Sequence, residues 1–265
     1  MLAAIDWHVV WMRISHPDHV FFRAMYTTVY IAVIAQVMGV LLGLVAAMMR
    51  TSKLAPFRFV SGLYVFIFRG TPLLVQIFFI YYGANQLLGF TLIPNTLNLG
   101  AFSLDGAIVA GILALGINEG AYMREIIRAG IDSIDRGQME AAKSLGMRYG
   151  LAMRRIILPQ AARVIVPPLG NEFNNMMKNT SLLFVIGVYE LFADASAGYS
   201  ASLKSEYFFA VAFWYLMLTT AWTFVQAWIE RRLAKSERGE ELSFRERLQA
   251  AWNPTGAWLG FGRSR

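Results

Sequence analysis

Long apolar runs recur along the chain, separated by shorter polar segments. The runs cover residues 24–49, 71–104, 105–122, 164–188 and 207–229, the third continuing past Glu119 and the fourth interrupted by Glu172 and Lys178. About 20 mostly apolar residues are enough for a helix to cross a bilayer. The pattern therefore predicts an all-α integral membrane protein with five transmembrane helices.

Composition supports a membrane protein. Hydrophobic residues make up 57% of the 265 positions and charged residues only 15%, against roughly 25% charged residues in soluble domains. So little polar surface excludes a disordered regulator and argues against a soluble enzyme. The chain contains no cysteine, which excludes disulfides, a thiolate nucleophile and cysteine-ligated metals.

The positive charges are distributed unevenly along the chain. Residues 50–58, 123–163 and 229–265 carry three, eight and eight Lys or Arg, which is 19 of the 24. Because cytoplasmic segments are enriched in Lys and Arg, these three segments are predicted to lie inside. The chain is then a multi-pass protein of the plasma (cytoplasmic) membrane, with its N-terminus outside and its C-terminus inside. The net charge of +7 is thus explained by topology, and no nucleic-acid partner is expected.

Three regions follow from this topology. Residues 1–23 are predicted to form an outer interfacial segment, in which Trp7 and Trp11 suit the membrane surface. Residues 24–230 form the transmembrane domain. Residues 231–265 form a basic, amphipathic cytoplasmic tail whose apolar positions favour contact with membrane lipid. All three histidines lie in the first region and are interpreted as solvated, so no metal site is predicted.

The inner loop at 123–163 is too long for a simple connector. Within residues 137–146 the sequence predicts a helix of about two turns, with Asp135 as its N-cap and Gly146 just after its end. A helix this short is not stable without a partner surface. It is either an amphipathic connector on the membrane or a projecting helix that docks into a cleft of a cytoplasmic protein.

The spacing of this loop favours the second interpretation. Glu140-Ala141-Ala142, then Gly146, then Ile156 and Leu158-Pro159 resembles the EAA loop of ABC importer permeases. Further segments resemble the polar amino acid permease family of the histidine/glutamine type, namely Phe68–Gln76, Gly120-Ala121-Tyr122 with Glu125-Ile126 and Arg128, Pro167–Asn171 and Lys178–Leu182. The resemblance covers residues 24–230 and implies a type I ABC importer permease fold with a cytoplasmic coupling helix.

The resemblance also implies partners. The coupling helix would dock into a separate ATPase through Gln138, Glu140, Ala141, Ala142, Leu145 and Gly146. The expected complex contains two ATPase subunits, a second permease copy or paralogue, and an extracytoplasmic amino-acid-binding protein. This sequence has no G-x-x-x-x-G-K-[ST] phosphate loop. It is therefore expected to be non-catalytic and to hold no cofactor itself, with ATP and Mg in the partner.

Polar residues within the spans are the candidates for a substrate path, because such groups are costly in lipid and usually face a cavity or a partner. They are Asn118, Glu119, Asn171, Glu172, Asn174, Asn175, Lys178, Thr180 and Ser181. In one interpretation they only join helices, with Lys178 paired to Glu119 or Glu172. In the other they bind a zwitterion in transit, and the two acids against one base favour a cationic amino acid.

Two other classes of protein remain as rivals. A self-sufficient secondary transporter would couple through intramembrane acids, usually in a longer chain with inverted repeats. An integral membrane enzyme would need a nucleophile and a base, which the spans do not supply. ATP dependence separates the first rival from an importer subunit, and turnover of a substrate would be required for the second.

Overall fold

The computed structural model describes residues 5–83, 86–87, 89, 93–94, 96–99 and 102–238. Its first half contains helices α1 (Trp7–Ser15), α2 (His19–Arg50), α3 (Ala55–Gly70) and α4 (Leu73–Phe78, extended by a π turn over Phe79–Gly83), and an antiparallel hairpin of β1 (Thr96–Leu99) and β2 (Phe102–Asp105). Its second half contains α5 (Gly106–Asp132), α6 (Arg136–Ser144), α7 (Tyr149–Ala152, extended by a π turn over Met153–Ile157), α8 (Leu158–Asn179, extended by a 3-10 turn over Thr180–Ile186), α9 (Leu191–Ser202) and α10 (Glu206–Arg238). The predicted amphipathic tail, from residue 239 onward, lies outside the described residues.

Three described helices are long and apolar enough to cross a membrane alone, namely α2, α5 and α10. Two further apolar stretches are bent. Ala55–Gly70 and Leu73–Gly83 meet at 108°, and Tyr149–Ile186 and Leu191–Ser202 meet at 49°. If each bent pair is one span, the described chain has up to five. The count of five therefore stays a prediction.

The second apolar stretch differs from the prediction of a span within residues 71–104. A full helix precedes that run, and the chain turns sharply at Thr71 and Pro72. Proline has no N–H and disfavours a helical conformation at the residue before it. Thr71 is accordingly extended, with φ −119° and ψ 147°. The bend therefore has a local cause in the sequence.

Glycines let α2 and α5 pack closely. A Cβ atom on Gly43 would lie 2.9 Å from the backbone nitrogen of Arg124, and one on Gly116 would lie 3.1 Å from the carbonyl oxygen of Ala35. Lipid offers no hydrophobic drive for helices to associate, so close van der Waals contact between small residues replaces it. This contact fixes the position of α5 in the bundle.

The C-terminal end of α5 extends beyond the apolar run into the segment predicted as loop. It carries ion pairs from Arg128 to Glu125 at 3.1 Å and to Asp132 at 2.8 Å. The buried Arg124 pairs with Glu125 and donates to the hydroxyl of Ser61 on α3 at 3.3 Å. These contacts fix the position of the last turns of α5, from which the chain continues into α6.

The end of the bundle that carries α1 is tied together by polar contacts. The ammonium of Lys204 lies 3.2 Å from Oδ2 of Asp6, and the backbone N–H of Asp6 donates to Glu206 at 2.8 Å. The hydrogen bond from Lys204 holds the pKa of the Asp6 carboxyl below its usual range. These contacts place α1 and the turn between α9 and α10 at the same end of the bundle, and the prediction put both on the outside.

Candidate coupling helix and translocation path

Helix α6 begins and ends at the residues that the sequence indicates. Oδ1 of Asp135 accepts the backbone N–H of Gly137 at 2.6 Å and so caps the N-terminus. At the other end Gly146 has a φ of +80° and donates its N–H to the carbonyl of Lys143 at 2.9 Å. Only glycine adopts this left-handed conformation at little cost. The predicted caps of the helix are thus confirmed.

The two faces of this short helix differ. Ala142 is buried against the rest of the chain, at 2% exposure, whereas Leu145 is 82% exposed. Gln138, Glu140 and Ala141 are also exposed. An exposed leucine between a small residue and a glycine offers an apolar projection with little bulk around it. This geometry suits insertion into a cleft of another protein.

Asn118 lies in a hydrogen-bond network at the bend between α3 and α4. Its Nδ2 donates to Oε1 of Gln76 at 2.9 Å and to the carbonyl of Phe68 at 3.0 Å. Gln76 in turn donates to the carbonyls of Phe68 at 2.9 Å and Thr71 at 3.0 Å. The last carbonyls of a helix have no partner within it, so these two amides satisfy the end of α3 and stabilise the bend.

Glu119 is buried, at 5% exposure, and its Oε1 accepts a hydrogen bond from Nε2 of Gln36 on α2 at 3.1 Å. The pairing of Lys178 with Glu119 or Glu172 is not found in the described part of the chain, where Lys178 is exposed. Glu119 is therefore fixed by an amide rather than by a cation.

Helix α8 divides its polar residues between two faces. Asn171, Asn175 and Lys178 are exposed, at helical spacings of four and three. Asn174 turns inward, and its buried Oδ1 has no hydrogen-bond partner among the described residues. Glu172 is half-buried. The exposed three form a polar stripe along one face of α8.

The two hydroxyls after this stripe serve the backbone. The hydroxyl of Thr180 donates to the carbonyl of Met177, and that of Ser181 donates to the carbonyl of Lys178, both at 2.7 Å. Thr180 is fully buried, whereas Ser181 is partly exposed. They stabilise the last turn of α8 where it tightens into the 3-10 turn.

A family model described as the binding-protein-dependent transport system inner membrane component matches residues 39–235. The chain belongs to this family. It is thus an inner membrane component of a transport system, and the importer resemblance seen in the EAA loop is confirmed.

Individual relatives of this transport component carry similar names. It is 38% identical to the probable amino-acid permease protein YxeN of Bacillus subtilis (strain 168), across 89% of this chain and 100% of that protein. It is 43% identical to the probable amino-acid ABC transporter permease protein PatM of Vibrio harveyi, across 79% of this chain and 90% of that one. A crystal structure of an amino acid ABC transporter with histidines matches with a TM-score of 0.72 and 36% identity, across 88% of this chain and all of that chain. The type I permease fold is therefore confirmed.

Sequence reasoning missed several buried polar residues of this transport component. Gln36 donates a hydrogen bond to Glu119, and Gln76 accepts one from Asn118. Gln36 is the one strongly polar side chain deep in the first apolar run of the sequence. Glu190, fully buried, caps α9 through the N–H of Ala193 at 3.0 Å and accepts the hydroxyl of Tyr215 at 2.6 Å. Glutamate is not among the preferred N-cap residues, so no capping signal marked this position.

Proposed function

We propose that this chain is the permease subunit of an ATP-driven importer of polar amino acids, with its N-terminus outside and its C-terminus inside. The observation that carries the proposal is α6. It is a capped, nine-residue helix with an exposed leucine, placed in the EAA loop of a chain that belongs to an importer family. A separate ATPase that closes on α6 would move α5 and α8, between which α6 lies in the chain.

The stripe on α8 supports a second permease copy or paralogue. A charged side chain at the bilayer centre costs on the order of 2.5–3.5 kcal/mol on insertion scales, so Lys178 with Asn171 and Asn175 is not expected to face lipid. A second subunit set against this face would enclose the stripe in a polar passage. With two such subunits, two ATPases and an extracytoplasmic binding protein complete the complex.

The substrate proposed is a polar amino acid, and a cationic one is favoured. Lys178 and the α8 amides offer contacts for a carboxylate, and Glu119 and Glu172 offer charges for ammonium groups. Two acids against one base leave room for a second positive charge on the substrate. ATP and Mg would be bound by the partner ATPase, and no catalytic residue is assigned to this chain.

The test is purification of the chain from its own membranes in mild detergent, with identification of co-purifying proteins and an ATPase assay. Wild type is compared with Gly146→Asp, which places a charged side chain at the end of α6. We expect an ATPase that accompanies the wild type and is lost, or no longer stimulated, in the variant. Absence of an ATPase in several detergents, with uptake that continues without ATP, would favour a secondary transporter instead.

A further inference from the structure

A cavity of about 830 Å³ opens at the outer end of the bundle. Its walls come from the start of α2, the end of β2 with the start of α5, and the turn before α9. The side chains that matter for its chemistry are His19, Arg23, Tyr26, Tyr30, Ser103 and Asp105. Neither Glu119 nor the α8 stripe lines it, so it is separate from the path described above.

Opposite charges line this cavity. Arg23, Tyr26 and Tyr30 are spaced by three and four residues on α2, which places them on one face of the helix. Asp105 lies on another wall, at the junction of β2 and α5. Arg23, Tyr30 and Asp105 all line the cavity, so both charges border the same space.

Both charged groups retain binding capacity. Arg23 is exposed, and within the described residues its guanidinium makes no ion pair or side-chain hydrogen bond. One oxygen of Asp105 accepts the N–H of Ala107 at 2.7 Å, and a carboxylate has a second oxygen to offer. A guanidinium and a carboxylate that share a cavity without pairing to each other match a ligand that carries both charges.

We propose that this cavity is an outer entry site for a free α-amino acid in its zwitterionic form. Arg23 binds the α-carboxylate, since a guanidinium matches a carboxylate in geometry and charge, and Asp105 binds the α-ammonium. The rings of Tyr26 and Tyr30, 5.2 Å apart, contact the substrate side chain. Sites for small molecules commonly enclose 300–1,000 Å³, so the cavity has room for any amino acid with water. The choice of ligand rests on the proposed function.

The absence of cysteine from the natural sequence permits a direct test of occupancy. Ser103→Cys introduces one thiol in the cavity wall, at an exposed position and with little change in size. The assembled transporter is studied in right-side-out vesicles washed free of binding protein, with a membrane-impermeant maleimide added outside. Ser200→Cys, exposed on α9 away from the cavity, is the matched control.

We expect millimolar L-glutamine or L-arginine to slow labelling of Ser103→Cys several-fold and to leave Ser200→Cys unchanged. Agmatine, which is arginine without its α-carboxylate, should give no protection. Adding Arg23→Gln should abolish protection while the unprotected labelling rate stays the same. That constant rate shows that the cavity is still formed in the variant.

Three results would overturn the proposal. The first is labelling that no amino acid slows, and the second is equal protection by agmatine. The third is a thiol that becomes reactive only after the subunits are separated, because the cavity would then be an interface. ATP-driven uptake in the same vesicles, loaded with ATP and resupplied with the binding protein, tests the importer function independently. Normal uptake without protection rejects only the entry site, and protection without ATP-dependent uptake rejects only the importer function.

Discussion

Helices α5 and α8 both carry amides and acids at membrane depth, yet they use them differently. In α5 the residues Asn118 and Glu119 are buried and hydrogen-bonded to Gln76 and Gln36. In α8 the amides of Asn171 and Asn175 are exposed beside Lys178. A polar residue within an apolar stretch therefore either hydrogen-bonds to another helix of this chain or forms part of an exposed polar surface that can contact another molecule. For the amides the hydrogen-bond partners decide between the two, whereas Glu119 is both held by Gln36 and proposed to attract a substrate ammonium group.

The largest loss of stability is expected from disrupting the close contact between α2 and α5. Gly43→Val would press a branched side chain against the backbone of Arg124 and should cost about 3 kcal/mol or more, since overpacking a tight contact is destabilising. Gly62→Val on α3 is the matched control, because no atom of the part of the chain that the structure describes lies within 4 Å of its added Cβ. Thermal unfolding in detergent should show a large loss for Gly43→Val alone. Similar unfolding curves for both variants would mean that the close approach of α2 and α5 does not support the fold.

Gly146 should show the next largest effect, on coupling and not on folding. Within the described residues an added Cβ at Gly146 meets no atom within 4 Å, but an L-residue with left-handed backbone costs about 1–2 kcal/mol, and asparagine and aspartate tolerate it better than other residues. We expect Gly146→Asp to reduce substrate-stimulated ATP hydrolysis in proteoliposomes at least tenfold, with normal protein yield.

Two milder substitutions separate the reasons for glycine at this position. Gly146→Ala adds strain with little bulk, and Gly146→Asn adds bulk with little strain. If docking bulk is decisive, the asparagine variant should be the less active of the two. The reverse order would show that the conformation of the C-terminal end is what matters. Equal, wild-type rates in both would remove Gly146 from the coupling surface.

A matched pair of amides tests the comparison directly. Asn118→Ala leaves Oε1 of the buried Gln76 without its donor and removes one of two hydrogen bonds to the carbonyl of Phe68, which should cost about 1–3 kcal/mol of stability. Asn175→Ala removes an exposed amide and should change stability by less than about 0.5 kcal/mol, while lowering uptake several-fold. Unfolding temperature and initial uptake rate, measured on both variants, check the pair. Equal destabilisation by the two would contradict the distinction drawn between α5 and α8.

The smallest effect concerns selectivity. Glu119→Gln keeps the size of the side chain and an oxygen for Gln36 but removes the charge. Uptake of arginine should therefore fall more than uptake of glutamine, by a few-fold in their ratio. Competitive uptake of the two labelled amino acids measures that ratio at constant protein level. An unchanged ratio would leave Glu119 as a structural residue only.

Features that depend on near neighbours were predictable from the sequence. The caps of α6 follow from Asp135 and Gly146, because capping is decided within one turn of the helix. The spacing of Gly39 and Gly43 is typical of close helix contact. The position of the bend at Thr71 and Pro72 is also local, although its angle of 108° is not.

Contacts between distant segments were not predictable in this way. Gln36 and Glu119 are 83 residues apart, and their meeting depends on how α2 and α5 are rotated about their axes. The same reason made Lys178 look like a partner for Glu119 when the described structure places it on an exposed face. Glu190 was missed because charge counting treats residues between spans as solvated, whereas this one is fully buried.

The length of α5 has a mechanical consequence. The helix runs from Asn118, which hydrogen-bonds to Gln76, to Asp132, which forms an ion pair with Arg128. Asn118 and Asp132 are 14 residues apart, which is about 21 Å at 1.5 Å per residue. A rigid rod of this length that tilts by about 5° about one end displaces the other by about 2 Å, which is enough to break a hydrogen bond. A small tilt of α5 at its end next to α6 is thus enough to make or break individual hydrogen bonds at the bend between α3 and α4.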